Sequence, residues 1–131
     1  MPHATIPADI RRFILARIAS VPHLEALLLL RACPGDAWDG ARLAERLYVA
    51  DKAAQALLAD LCRDGMCVAE GDQAGSLQYR YQPASAALGA TIDQLAEWYG
   101  RELLEITYLI HSRLERKAQQ FADAFKWRKD E

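Results

Sequence analysis

The chain has 131 residues, of which 52% are hydrophobic and 26% are charged, and its formal net charge is −2. These values are typical of one globular domain, and they exclude a global basic field that would by itself indicate a nucleic-acid partner. The sequence has neither a secretory signal nor an apolar stretch long enough to cross a bilayer, and its three cysteines form no even disulfide framework. We therefore expect a cytoplasmic protein without a membrane partner.

Two helices are predicted at the start of the chain. Pro7 can open the first, with Asp9 in its first turn, and isoleucines then recur at helical spacing. Ser20 is the predicted N-cap of the second helix, which ends at Pro34-Gly35. Leucines cover most sides of this second helix, so we expect it to be buried.

The segment LAERLYVADKAAQALLADLCRDGMCV, residues 43–68, has the pattern of a helix, a tight turn, a second helix and a strand. Asp39 and Asp51 are the predicted N-caps of the two helices. Gly65 is the predicted C-terminal stop of the second helix. Along that second helix the leucines form one apolar face, which predicts that the opposite face is exposed.

A β-hairpin is predicted after these helices. MCVAE and SLQYRYQ are its strands around the tip GDQAG, and Pro83 ends it. Tyr79 and Tyr81 alternate with polar residues, as expected for a half-buried strand. Trp38, in the loop before the helix pair, is expected to be buried beneath the domain.

The sequence after Pro83 is rich in helix signals. From Ile92 onward one apolar line recurs at nearly heptad spacing, and a second line is displaced around the helix, which indicates two packing neighbours. One helix over 87–127 would be roughly 60 Å long, so the arm either contacts another chain or folds back at a break, for which the polar segment from His111 is the candidate. We expect a homodimer whose interface contains Leu95, Tyr99, Leu103, Ile106 and Ile110.

The helix, turn, helix and strand in 43–68 resemble those of the winged-helix family, particularly the multiple-antibiotic-resistance-type (MarR-like) bacterial transcriptional regulators. The resemblance covers about half the chain. It implies a mainly α fold with a small β-hairpin, in which a winged helix-turn-helix precedes a long C-terminal helical dimerisation arm. The corresponding division is an N-terminal helix in 1–19, the winged helix-turn-helix domain in 20–83 and the arm in 84–131.

The resemblance also implies DNA binding through the second helix of the motif. With the leucines inward, Lys52 and Gln55 lie near the N-terminus of that helix, where the family contacts bases. Arg63, further along, could touch phosphate, and Arg80 could enter the minor groove from the hairpin. These four residues are the predicted DNA contacts of a dimeric regulator.

An alternative function follows from the charge distribution. Residues 36–82 carry five basic and eight acidic side chains, which is unfavourable for contact with a polyanion. The outward face of the second helix is rich in alanine, which suits a winged-helix adaptor that docks another protein without binding DNA. The basic residues concentrate instead in 113–129, which is either a solvated helix end or a contact for an acidic partner.

Signals for catalysis and metal binding are missing from the sequence. There is no phosphate-binding glycine loop, nucleophile motif or convincing carboxylate pair. His3, His23 and His111 are far apart and do not fall in a ligand spacing with the cysteines. Cys62 and Cys67 are expected to be ordinary buried thiols. We predict no enzymatic activity, no cofactor and no metal.

Overall fold

The computed structural model describes residues 5–71 and 77–129, with side chains described to Arg113 and at scattered positions beyond it. It is mainly helical with one antiparallel hairpin, which confirms the predicted fold class. The elements in chain order are α1 (Ala8–Arg17), α2 (Val21–Ala32), α3 (Gly40–Leu47), α4 (Asp51–Arg63), β1 (Cys67–Gly71), β2 (Leu77–Tyr81), α5 (Ala86–Arg101) and α6 (Leu103–Lys129).

The two N-terminal helices begin where the sequence predicts. Pro7 precedes α1, and the Oγ of Ser20 accepts a hydrogen bond of 3.2 Å from the backbone N–H of His23 at the start of α2. In the ranges that the structure describes, no single helix is long and apolar enough to cross a membrane. The pair α1 and α2 reaches that length and composition only together, across a bend of 109°.

A three-residue turn joins α3 to α4. Asp39 is the N-cap of α3, as predicted, and its Oδ1 accepts a hydrogen bond of 2.8 Å from the N–H of Arg42. Tyr48 follows α3 in the left-handed conformation, at φ 58°, and the next N–H, that of Val49, donates to the Ala44 carbonyl over 3.2 Å. This bond from the sixth residue back to the first is that of a Schellman motif, which closes the helix and reverses the chain.

The predicted N-cap of α4 was wrong by one residue. Ala50 is the N-cap and makes no side-chain cap bond. Asp51 is the first residue of the helix. The reason is that the Schellman motif completes the turn early, so the chain is already helical at Asp51. The carboxylate of Asp51 still interacts favourably with the helix dipole from the first turn. Gly65 follows α4 at φ 76°, which confirms the predicted stop.

The hairpin carries a third, very short strand contact. β1 pairs with β2 in a register that sets Cys67 opposite Tyr81 and Gly71 opposite Leu77. Trp38 and Tyr79 exchange backbone hydrogen bonds of 2.8 and 2.7 Å, and the Trp38 side chain is fully buried, as expected. The predicted tip GDQAG falls, apart from Gly71, outside the described residues.

One hydrophobic core joins the N-terminal helices, the helix pair and the C-terminal helices. Polar bonds tie these elements together at the edge of the core. The Tyr99 hydroxyl of α5 donates to Glu25 of α2 over 2.8 Å, and burial together with this bond raises the pKa of Tyr99 to about 12. Arg113 of α6 donates to the Ile18 carbonyl, just after α1, over 2.9 Å.

The C-terminal arm is broken at Glu102, whereas the sequence left open one continuous helix or a break near His111. Glu102 leaves the helical conformation at φ −128° and ψ 54°, two residues after Gly100, whose low helix propensity weakens this point. The polar segment from His111 continues α6 without interruption. The polar composition of the segment from His111 therefore reflects exposure to solvent and not the end of a helix.

Four of the five predicted interface residues lie in the core of the single chain. Leu95, Tyr99, Ile106 and Ile110 are buried in the core of the same chain, because α5 and α6 fold against α1 and against each other. Burial within one chain does not test the dimer, so an interface that contains these residues stays a prediction. Leu103, the fifth, is 49% exposed.

Candidate nucleic-acid interface

The exposed face of α4 is the candidate reading surface. α4 packs against α3 and α2 through Ala54, Leu58 and Leu61, which are fully buried. Lys52 and Gln55 on its opposite face are exposed, as the helical projection predicts. The structure therefore brings two of the four predicted DNA contacts to the N-terminal half of one exposed helix face.

The other two predicted contacts are engaged by acidic neighbours. The Arg63 guanidinium lies 3.1 Å from Asp60 on the same helix, and that of Arg80 lies 3.2 Å from Glu70 on the facing strand. Both pairs are substantially exposed, so each stabilises the fold by only about 0–1 kcal/mol. A phosphate would have to compete with a carboxylate for each arginine. The Nε of Arg80 is buried and has no hydrogen-bond partner in the described structure.

The Gln55 side chain lies over the first residue of α3, Gly40. A Cβ at Gly40 would collide with the Cγ of Gln55, so a larger residue there would force the Gln55 side chain to move. Lys52 has no ion pair with any residue that the structure describes. Of the four predicted contacts, Lys52 is therefore the cation most available to a phosphate.

A cavity of about 410 Å³ lies between the start of α3, the start of α4 and β2. Two carboxylates, an amide and a phenol supply its polar groups, and burial raises the pKa of the phenol, that of Tyr79. The two carboxylates would repel a phosphate placed over the cavity. Its lining residues are Asp39, Gly40, Ala41, Asp51, Gln55, Leu77 and Tyr79.

Sequence reasoning missed two residues. Tyr48 is 95% exposed and lies three residues before Asp51, at the position after a helix where glycine is usual. The signal was weak, because such turns often contain a glycine and this one has none. Arg113 was counted in the basic segment 113–129, but its guanidinium binds the Ile18 carbonyl at the end of α1.

The cysteines are free thiols in the structure. Cys67 is buried, as predicted, and burial beside Cys62 raises its pKa to about 12, so it stays protonated at neutral pH. Cys62 is only half-buried. Among the residues described, no group of three or more His, Cys, Asp or Glu side chains could hold a metal ion.

The first two turns of α6 carry an exposed apolar patch. Leu103, Leu104 and Tyr108 are 49%, 81% and 71% exposed, and we call these three residues the α6 patch. Leu104 and Tyr108 are four residues apart and so lie on one helix face. Exposed large apolar side chains that adjoin one another mark interaction surfaces more often than single ones do.

Comparison with known proteins establishes the fold. No protein-family model and no curated protein matches the sequence. Among solved structures, the chain is similar to MepR, a transcription regulator of the Staphylococcus aureus multidrug efflux pump MepA, with 14% identity over 93% of this chain and 90% of that one and a TM-score of 0.52. It is also similar to a MarR family protein from Bacillus stearothermophilus, with 19% identity over 88% and 86% of the two chains and a TM-score of 0.51. Together with the helix pair and hairpin above, these matches show that the chain has the winged helix-turn-helix fold of a MarR-like protein.

Proposed function

We propose that the protein is a transcriptional regulator that binds DNA as a dimer. The observation that carries the proposal is the placement of Lys52 and Gln55 on the exposed N-terminal half of α4, with the hairpin beside it. MepR, one of the similar solved structures, is itself a transcription regulator. The proposal keeps the division into an N-terminal helix (1–19), a winged domain (20–83) and an arm (84–131). It assigns the protein no catalytic role and places it in the cytoplasm.

In the proposed complex the N-terminal half of α4 enters the major groove. Gln55 reads a base edge with its amide, and Lys52 contacts a phosphate. Arg63 and Arg80 reach phosphate and minor groove after leaving Asp60 and Glu70. Because each protomer offers three cations to the DNA and the surrounding surface is acidic, we expect a weak affinity with a modest dependence on salt.

The test is binding to a duplex from the protein's own upstream region, measured at low salt and at about 0.2 M salt. Lys52→Ala should weaken binding to all sequences and reduce the salt slope by about 0.9 for each protomer of the dimer. Gln55→Ala should change sequence preference roughly tenfold. Arg12→Ala, which removes an exposed arginine from α1, is the matched control and should leave both quantities unchanged. Binding that neither α4 variant alters would exclude α4 as the reading helix.

The α6 patch is the proposed dimer contact, in place of the four buried residues predicted from the sequence. Leu104→Glu with Tyr108→Glu should convert a dimer to a monomer in sedimentation, with little loss of thermal stability, because both side chains are exposed in the single chain. Ala90→Glu, at an exposed position on α5, should leave the dimer intact. A wild-type protein that sediments as a monomer at micromolar concentration would refute the dimer.

The second candidate is a winged-helix adaptor that docks a protein. The paired arginines, the two carboxylates of the cavity and the exposed alanines of α4 favour it, because small neutral side chains allow close approach of a partner. Absence of DNA binding at both salt concentrations, with a folded dimer, would favour the adaptor over the regulator.

A further inference from the structure

His23 is a buried titratable group to which the proposed function gives no role. It lies in the first turn of α2 and is only 2% exposed. Its Nδ1 accepts a hydrogen bond of 2.9 Å from the backbone N–H of Ala19, in the corner between α1 and α2. Because Nδ1 accepts, the neutral ring carries its proton on Nε2. That Nε2 is buried and has no hydrogen-bond partner within the described part of the chain.

Three charged groups from two other helices act on the ring. Asp60 and Asp64 belong to α4 and its C-terminal end, and Arg113 belongs to α6. Arg113 also holds the Ile18 carbonyl, one residue before the amide that His23 accepts. The same corner is thus fastened by two adjacent bonds, one to His23 and one to α6.

The charged form of the ring does not fit this site. An imidazolium is a donor at both nitrogens, so its Nδ1–H would point at the Ala19 N–H and one hydrogen bond would be replaced by repulsion. Burial lowers the pKa of His23, and the positive charge of Arg113 acts in the same direction. Asp64 and Asp60 act in the opposite direction, and Asp60 is already paired with Arg63.

We propose that His23 is an acid-sensitive latch that holds the α1–α2 corner closed when the ring is neutral and releases it when the ring is protonated. The unfolded chain takes up the proton at the ordinary pKa near 6.5, whereas the folded chain resists it. The contribution of the neutral His23 ring to the free energy of unfolding is therefore fully present above pH 6.5 and is lost as the pH falls below it. The latch does not depend on DNA binding, and its test measures folding alone.

The decisive experiment compares unfolding of wild type and His23→Asn in urea. Asparagine keeps an oxygen acceptor near the position of Nδ1 but cannot titrate. If the folded site excludes the charged ring, the wild-type folding equilibrium constant should fall about tenfold between about pH 7.5 and pH 5.5. His23→Asn should lack this loss, whatever its absolute stability. His111→Gln, which removes an exposed histidine from α6, should retain it. Equal pH dependence of wild type and His23→Asn would overturn the latch.

A second measurement does not require the variant to fold. In nitrogen NMR of the wild type, the His23 ring should remain neutral, with its proton on Nε2, through pH 6.5. The protection factor of the Ala19 amide, which removes the intrinsic effect of pH on exchange, should then fall as the pH is lowered further. Ordinary titration of His23 near pH 6.5 in the folded protein, without loss of the Ala19 bond, would refute the proposal.

Discussion

Replacing Tyr48 with glycine is expected to stabilise the protein. Tyr48 has φ 58° and ψ 44°, a left-handed conformation that strains a residue with a Cβ by roughly 1–2 kcal/mol. Its side chain is 95% exposed, so the substitution uncovers almost no apolar surface. Glycine also adds freedom to the unfolded backbone, which costs about 0.4–1 kcal/mol. The net expectation is a gain of about 0.5–1 kcal/mol in the free energy of unfolding.

Urea unfolding at equilibrium measures this gain, which corresponds to a rise of roughly 2–4 °C in melting temperature. Tyr48→Ala is the matched control, because alanine removes the exposed ring but keeps the strained Cβ. Its stability should stay close to that of the wild type. If Tyr48→Gly were no more stable than Tyr48→Ala, the left-handed strain at this turn would not be a significant cost, and the reasoning would fail.

Three other predictions follow from local geometry. Gly65→Ala should destabilise the protein by about 1 kcal/mol or more in urea unfolding, because φ is 76° and the new Cβ would lie 3.2 Å from that of Ala84; an unchanged stability would contradict this. Tyr99→Phe should cost about 1 kcal/mol through the lost bond to Glu25. This difference in stability between wild type and Tyr99→Phe should be fully present below pH 10 and shrink as the pH rises toward 12, since folding raises the pKa of Tyr99 from 10 to about 12. A difference that does not change with pH would refute the prediction. Asp60→Asn with Glu70→Gln should free both arginines and strengthen DNA binding, with a steeper salt slope, whereas Glu97→Gln, which frees Arg101 on α5, should not.

Features set by neighbouring residues were predictable from the sequence. The caps at Ser20 and Asp39 and the stop at Gly65 each depend on one side chain or one backbone conformation acting within a few residues. Burial of Trp38 followed from its size and its place before the helix pair. The cap of α4 was missed because Tyr48, which is not a glycine, nevertheless adopts the left-handed conformation that closes the turn early.

The interface could not be derived from periodicity, because the same apolar spacing serves a contact within a chain and a contact between chains. Only the break at Glu102, which lets α5 and α6 pack together, decides that Tyr99 and Ile106 belong to the core. The pairing of Arg80 with Glu70 depends on strand register, which the sequence leaves open. The pairing of Arg63 with Asp60 was visible as an i, i+3 spacing.

The acidity of the candidate interface has two parts with different consequences. Releasing Arg63 and Arg80 from their exposed partners costs at most about 2 kcal/mol together, roughly 30-fold in affinity, which weakens DNA binding without preventing it. Asp39 and Asp51 are different, because they stabilise the starts of α3 and α4, the first as an N-cap and the second through the helix dipole. Replacing Asp39 and Asp51 would relieve the repulsion of phosphate but would destabilise the two helices that form the site. Folding and phosphate contact therefore compete for the same two positions, and the balance between regulator and adaptor depends on whether Lys52 and Gln55 outweigh them.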